Sequence, residues 1–308
     1  MDHLKGGISR RSLLFALGLL PTAPFLARGT EASAGVHRQI PSSGESIPAI
    51  GMGSWITFNV GDDIEARRVR VEVLRRFFEQ GGALIDSSPM YGSSEAVIGY
   101  CLARLHRPAA LFSATKVWTW GESAGVKQME RSRALWGEDR FDLMQIHNLL
   151  DWKTHFETLK AWKAEGRLRY LGVTTSHGRR HDELVEIMRN QPLDFVQFTY
   201  NVVDREAEER LLPLAADRGI AVIINRPFRR GALFDRFARH PLPDWASEID
   251  CANWAQFFLK FIVSHPAVTC AIPATSRPDH MMENMGALHG RLPDAAQRRE
   301  MIRYLDSL

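Results

Sequence analysis

Few residues in this chain could staple it through sulfur or bind metal as thiolates. Only three cysteines occur among 308 residues, Cys101, Cys251 and Cys270. No C-x-x-C spacing joins them, which excludes a zinc ribbon or finger. The odd number leaves at least one thiol outside any intrachain pair. Spacing leaves open whether Cys101 meets Cys251, while Cys270 falls in an apolar run and reads as core. No G-x-G-x-x-G follows any strand-like run, so the fingerprint of a doubly wound dinucleotide-binding sheet is missing. An excess of one charge is missing too. Lys and Arg number 39 against 36 Asp and Glu, a net charge of +3. A nucleic-acid partner would want a concentrated basic face, which this charge balance does not suggest. The apolar run from Leu13 to Leu20 is too short to span a bilayer. What remains is 45% hydrophobic and 24% charged, the composition of a folded chain with a large core.

The N-terminus is read apart from the fold. Ser9-Arg10-Arg11-Ser12-Leu13-Leu14-Phe15 sets an arginine pair at the edge of the apolar run, and Ala32-Ser33-Ala34 supplies small residues of the A-x-A kind. This pattern predicts a twin-arginine signal peptide over residues 1–34, cleaved after Ala34, with 35–308 as the folded domain. The implied partner is the twin-arginine export machinery and the implied location periplasmic or otherwise extracytoplasmic. Four basic and two acidic residues leave with the signal, taking the net charge from +3 to +1.

After the signal, Ile40–Pro48 reads as a short hairpin with a polar turn. Short apolar runs then alternate with helical periodicity. The runs are 49–53, 84–86, 111–116, 141–146, 170–173, 195–198, 220–224 and 268–272. Helical patterns lie at 64–80, 94–105, 123–136, around 156–162, around 184–188, 207–217, 252–263, 281–288 and 295–305. Residues 229–249 read as a long irregular loop. Eight strands alternating with helices predict an α/β fold, a (β/α)8 TIM barrel with a short N-terminal hairpin and extra C-terminal helices.

In such a barrel the C-terminal strand ends share one mouth. Asp86, Lys116 and His147 each end a strand, and Tyr91 follows Asp86 by five residues. Any one of them alone reads as a cap, a solvated charge or a satisfied core group. Together they form a coherent acid–base set. A carbonyl reduced by hydride needs a proton at its oxygen, and a tyrosine can supply it. An ammonium about 4 Å from the phenol attracts the phenolate by about 4 kcal/mol at an effective dielectric near 20, which predicts a lowered tyrosine pKa before desolvation acts. Asp86 is the counter-charge that keeps Lys116 protonated, and His147 orients the carbonyl.

The ordered set Asp86-x4-Tyr91-Gly92 with Ser94-Glu95, Thr115-Lys116, Ile146-His147, Gly172-Val173, Val196-Gln197-Phe198 with Tyr200-Asn201, and Ile272-Pro273 with Glu283-Asn284 resembles the aldo-keto reductase family across almost the whole mature chain. That resemblance implies a barrel that interconverts aldehydes or ketones and alcohols with NADP(H), NAD(H) being the lesser choice, and without metal. It implies Tyr91 as general acid, Lys116 and Asp86 as its tuning pair, and His147 as orienter. It places Gln197 and Thr175 at the nicotinamide amide, with Thr174-Thr175 standing where the family has Ser-Asn. Trp55 would wall the substrate pocket together with Trp118 or Trp120. After the seventh strand, Asn225-Arg226-Pro227-Phe228-Arg229-Arg230-Gly231 replaces the family's usual loop. Its arginines, Arg226 and Arg230 among them, either grip pyrophosphate or stay solvated. In the eighth loop Arg277 compensates for a missing lysine, His280 stands where an arginine often reads the 2′-phosphate, and Asn284 completes the cofactor set.

Two other readings compete. One is a catalytically quiet nicotinamide-nucleotide-binding or sensor protein on the same barrel, since export separates the chain from a supply of reduced cofactor. The other is a metal-dependent hydrolase built on His147, His177 and His181, which lacks a matching carboxylate cluster.

Overall fold

Side chains that alternate inward and outward every second residue build a closed cylinder here. The computed structural model describes residues 35–308, and the export signal expected on residues 1–34 lies outside them. The expected hairpin is β1 (His37–Gln39) paired antiparallel with β2 (Ser46–Pro48). Eight parallel strands follow: β3 (Met52–Gly53), β4 (Leu84–Asp86), β5 (Phe112–Val117), β6 (Phe141–Ile146), β7 (Leu168–Thr174), β8 (Phe195–Thr199), β9 (Ala221–Asn225) and β10 (Cys270–Ala271). They pair in chain order. Bridges Ile50–Ala271 and Gly53–Ala274 join the last strand to the first and close the barrel.

The described helices are α1 (Ile64–Glu79), α2 (Ser94–Arg104), α3 (Glu122–Trp136), α4 (Trp152–Ala164), α5 (His181–Asn190), α6 (Leu211–Arg218), α7 (Ala232–Phe237), α8 (Trp254–Val263), α9 (Pro278–Met285) and α10 (Ala295–Asp306). Their ends carry their own signals. Asp63 caps α1 by accepting from Ala66 N at 2.9 Å. Asp294 and Gln297 form a reciprocal capping box on α10. Gly137 takes the left-handed turn that ends α3.

Three expectations change. The helix expected over 207–217 is broken, with a 3-10 turn at Glu206–Glu208 and α6 starting only at Leu211. Pro213 accounts for this: in one continuous helix its ring would strike the Glu209 carbonyl, whereas in the first turn it is tolerated. The loop expected over 229–249 holds α7 and 3-10 turns at Arg229–Gly231 and Asp244–Ile249. Leu233 and Phe237 are buried there, and Phe237 packs on Trp254 and Phe258 with ring centroids 6.1 Å away. Their i,i+4 spacing was the overlooked helical signal. The first and last barrel strands are shorter than expected, Met52–Gly53 of 49–53 and Cys270–Ala271 of 268–272. All three cysteines are buried and unpaired.

The barrel interior is layered. Leu84, Phe112, Ala114, Leu143, Tyr170, Phe195, Ala221, Ile223, Cys270 and Ile272 point inward as one apolar cluster, joined by Ile40 and Ile47 from the hairpin. The hairpin therefore plugs the N-terminal end of the barrel. Glu45 and Ser43 fix the plug, lying 2.6 and 2.7 Å from the Tyr170 hydroxyl, and Arg169 pairs with both Glu45 and Asp142. The opposite end is left to polar groups.

Gly172 occupies an inward position of β7 with no room for a side chain. A Cβ there would lie 2.7 Å from the Phe195 carbonyl oxygen and 3.1 Å from its Cβ. Gly172→Ala is expected to cost about 1–3 kcal/mol of stability by overpacking, read as a lower denaturant midpoint. An unchanged midpoint would show that the barrel interior has slack at this layer.

Candidate active site

Above the apolar layers the inward positions turn polar. Period-two alternation puts Asp86 above Leu84 on β4, Lys116 above Ala114 on β5, Gln145 above Leu143 on β6 and Gln197 above Phe195 on β8. Lys116 pairs with Gln145, and Thr174 with Gln197, in the strand register. Lys116 is fully buried and Asp86 nearly so. The Lys116 ammonium donates to Asp86 Oδ2 at 2.5 Å and to the Ser87 carbonyl at 2.7 Å. Asp86 Oδ1 accepts from Gln145 Nε2 at 2.9 Å and Gln197 Nε2 at 3.1 Å. The buried Ser54 hydroxyl lies 3.0 Å from the Asp86 carbonyl and 2.8 Å from Ser87 Oγ.

Tyr91 is delivered by the turn that leaves β4. Ser88 caps a 3-10 turn over Pro89–Tyr91, accepting from Met90 N at 3.2 Å, and Pro89 suits the first position. Gly92 then takes φ +64°, where a Cβ would fall 2.4 Å from Asn59 Oδ1. Asn59 holds the exit by accepting from Ser93 N at 2.9 Å. The Lys116 ammonium sits 5.2 Å from the Tyr91 ring centroid. His147 meets the Tyr91 ring edge-on, 5.6 Å between centroids, and its Nδ1 is 2.8 Å from Ser88 Oγ.

These surroundings set protonation. Burial raises the Tyr91 pKa, and Asp86 adds to the rise; Lys116 opposes it without prevailing. The sequence had predicted a lowered value from the ammonium, and desolvation outweighs that attraction. Burial by itself would lower Lys116, but the charges of Asp86 and Tyr91 leave it raised and the ammonium secure. Burial, and then the Lys116 charge, push His147 well below the ordinary histidine value. At neutral pH Tyr91 is a phenol and His147 a neutral imidazole.

Both open onto a cavity of about 1010 Å³ that is also lined by Trp55, Thr174, Thr175, Gln197, Asn225, Arg226, Arg230, Arg277, His280 and Asn284. The structure thus gathers the nominated residues at one mouth, with Lys116 behind the wall and Trp118 outside it. Trp118 is 40% exposed, 6.4 Å from the His147 ring, and Trp120 is 71% exposed. Thr175 Oγ1 is a buried oxygen without a hydrogen-bond partner. Asn225 has both amide ends engaged, donating to the Thr175 carbonyl at 2.9 Å and accepting from Thr199 Oγ1 at 2.7 Å. Thr174 Oγ1 accepts from Asn148 N at 3.0 Å. Arg230 stacks over the Trp55 ring at 4.4 Å. Arg277 is paired with the exposed Asp279. An orphaned hydroxyl, a wide cavity and guanidinium groups at its rim suit a nicotinamide dinucleotide.

Sequence reasoning missed four contributors. Gln145 stands two residues before His147 on the same strand face, a period-two signal. Ser54 and Ser88 are small hydroxyls whose partners are distant in sequence. Arg179, with His177, lines the cavity from the loop after β7, although the Arg179-Arg180 surroundings read as solvated surface. Among the described residues no group of three His, Cys, Asp or Glu side chains is placed to hold a metal ion.

The model of the aldo/keto reductase family matches residues 49–299. Methylglyoxal reductase YeaE of Escherichia coli is 28% identical over 269 residues, covering 84% of this chain and 92% of the relative. The NADH-specific methylglyoxal reductase of the same organism is 23% identical, covering 85% and 96%. A crystal structure of an aldo-keto reductase from Klebsiella pneumoniae in complex with NADPH superposes with a TM-score of 0.72 at 24% identity, covering 88% and 95%.

The depressed His147 pKa has a consequence for stability. Below the ordinary value of 6.5 the unfolded chain takes up a proton that the folded site refuses. This contribution to stability is complete above pH 6.5 and is lost as pH falls, by up to ~1.4 kcal/mol per pH unit. His147→Gln removes the titration, so its stability should fall less steeply than wild type between pH 6.5 and 5 in denaturant titrations. Equal slopes would mean that His147 protonates as readily in the fold as outside it.

Proposed function

The chain belongs to the aldo/keto reductase family, and on that premise we propose that it interconverts a carbonyl compound and its alcohol, with Tyr91 as the proton donor in reduction. The observation that carries this reading is the convergence of a protonated phenol and a neutral imidazole on one cavity, with a buried ammonium–carboxylate pair behind them. A bound dinucleotide supplies the hydride. The chain's own groups do the rest. Tyr91 and His147 hold the carbonyl oxygen between two neutral donors. Tyr91 gives its proton as negative charge gathers on that oxygen. Lys116 stabilises the phenolate left behind, and Asp86 keeps Lys116 charged. Gln145 and Gln197 hold the Asp86 carboxylate in place.

For the cofactor we assign Thr175 and Gln197 to the nicotinamide amide and Arg226 and Arg230 to pyrophosphate. Asn225 and Thr174 shape the wall through their internal bonds, and Asn284 lines the far side. Arg277 and His280 favour NADPH. The exposed Arg277–Asp279 pair costs little to exchange for a phosphate, and the neighbour solved with NADPH supports this choice. The methylglyoxal reductases among the relatives make a small dicarbonyl the first substrate to test. The twin-arginine motif supports export of the folded protein to the periplasm, with cofactor loaded beforehand.

Tyr91→Phe should reduce carbonyl-dependent NADPH oxidation at least ~100-fold while NADPH still binds, followed by its fluorescence. Turnover retained in that variant would assign the proton to another donor. Replacing both Arg10 and Arg11 with lysine should leave the full-length chain in the cytoplasmic fraction, where wild type yields the processed form in the periplasm. Equal distribution of the two would remove the export reading.

A further inference from the structure

His147 can donate to a carbonyl only in one of its two neutral forms, and a residue outside the acid–base set selects that form. Ser88 is fully buried, so water cannot serve its hydroxyl. Its oxygen already accepts from Met90 N at 3.2 Å, the bond that caps the turn carrying Tyr91. Its hydrogen must still find an acceptor. Among the described residues the one partner within reach is His147 Nδ1, at 2.8 Å. From this arrangement we infer that Ser88 is a positioning residue: its O–H donates to His147 Nδ1, fixing the proton on Nε2, the ring nitrogen left free for a ligand.

The opposite tautomer fails on two counts. With hydrogen on Nδ1, the Ser88 hydroxyl would receive two donors and leave its own hydrogen buried and unmet, a costly arrangement. Nε2 would then present a lone pair to the carbonyl oxygen, where repulsion replaces a hydrogen bond. The doubly protonated ring is opposed by burial and by the nearby Lys116. Ser88 thereby links two tasks. One side chain caps the turn that delivers Tyr91 and orients the proton of the imidazole facing it, so the two donors are set relative to each other before substrate arrives.

The inference rests on the carbonyl-reductase reading for its purpose, but its first measurement needs no substrate. Protein labelled with [15N]histidine, with the His147 signals assigned by their loss in His147→Gln, should show an imine-type Nδ1 and a pyrrole-type Nε2. In Ser88→Ala the two nitrogens should shift toward each other as both tautomers become populated. kcat/KM with methylglyoxal and NADPH should fall roughly tenfold, about what one hydrogen bond contributes. The loss should appear in kcat more than in KM, because the carbonyl oxygen is most negative in the transition state. Ser88→Thr, which keeps the hydroxyl, should restore both the spectrum and the rate. A pyrrole-type Nδ1 in wild type overturns the inference, as does a Ser88→Ala protein with wild-type spectrum and rate. If Ser88→Ala does not fold, the wild-type spectrum alone decides. Wild type that turns over no carbonyl compound would count against the reductase reading and leave the tautomer still to be read from the spectrum.

Discussion

The site depends on one fully buried ion pair, Lys116 with Asp86, 2.5 Å between charged atoms. Such a pair is expensive to desolvate and tolerable only when every remaining donor and acceptor is met. The barrel meets most of them by geometry. Inward positions of neighbouring strands lie at matched height, so Gln145 and Gln197 reach the second carboxylate oxygen while the Ser87 carbonyl takes a further ammonium hydrogen. Below this polar layer the interior is apolar and closed by the hairpin, which denies water an approach from the far end. The hydrophobic layers therefore serve the chemistry directly: they keep the dielectric low where the charges must act on Tyr91 and His147.

Backbone strain is concentrated at the same end. Among the described residues, nine of the twelve non-glycine residues with positive φ lie in loops that leave the C-terminal ends of strands: Ile56, Asn148, Leu149, Asp151, His177, Arg180, Arg226, Arg229 and Arg230. Conformations of this kind persist when their surroundings over-determine them. The turn after His147 illustrates this. Thr174 Oγ1 takes the Asn148 N–H, and the Arg180 guanidinium donates to the carbonyls of Asn148 and Leu149 at 2.7 and 3.2 Å. The loop beyond β5 is pinned in the same way, with Gln128 binding both the N–H and the carbonyl of Trp118, and His155 Nε2 reaching the Thr119 carbonyl at 2.8 Å. The mouth is thus a set of strained turns held by side chains from neighbouring strands, loops and helices, with few of its shapes left to chance.

How much of this was legible in the sequence follows from the range of each interaction. The strands, most helices and the placing of Asp86, Lys116 and His147 at strand ends rest on local periodicity, and the structure has them where periodicity put them. Pro213 broke a helix because one ring overrides a favourable pattern. Leu233 and Phe237 formed one because a short amphipathic repeat was hidden in polar sequence. The polar bonds were not legible. Nothing near Ser88 in sequence announces His147, 59 residues away, and nothing near Asn225 announces that both its amide ends are engaged. The net direction of the Tyr91 shift was not legible for a related reason. The ammonium could be named from sequence, but the depth of burial that outweighs it could not.

That direction changes the chemical character of the site. With Tyr91 pushed up and His147 pushed down, both groups facing the cavity are neutral and both carry hydrogen at physiological pH. On the proposed reading, a carbonyl oxygen placed between them would meet two donors and no full charge until reduction begins. On the roles proposed above, Lys116, one layer below, would then become decisive: its positive charge, balanced by Asp86 at rest, would stabilise the anion formed when Tyr91 gives up its proton. Were the phenol ionised at rest, it would repel the carbonyl oxygen and have no proton to give. Were the imidazole charged, it would compete with Lys116 for the same negative charge and add a further buried cation. Burial that looks like a penalty for each group taken singly leaves the pair in the protonation states that carbonyl reduction requires.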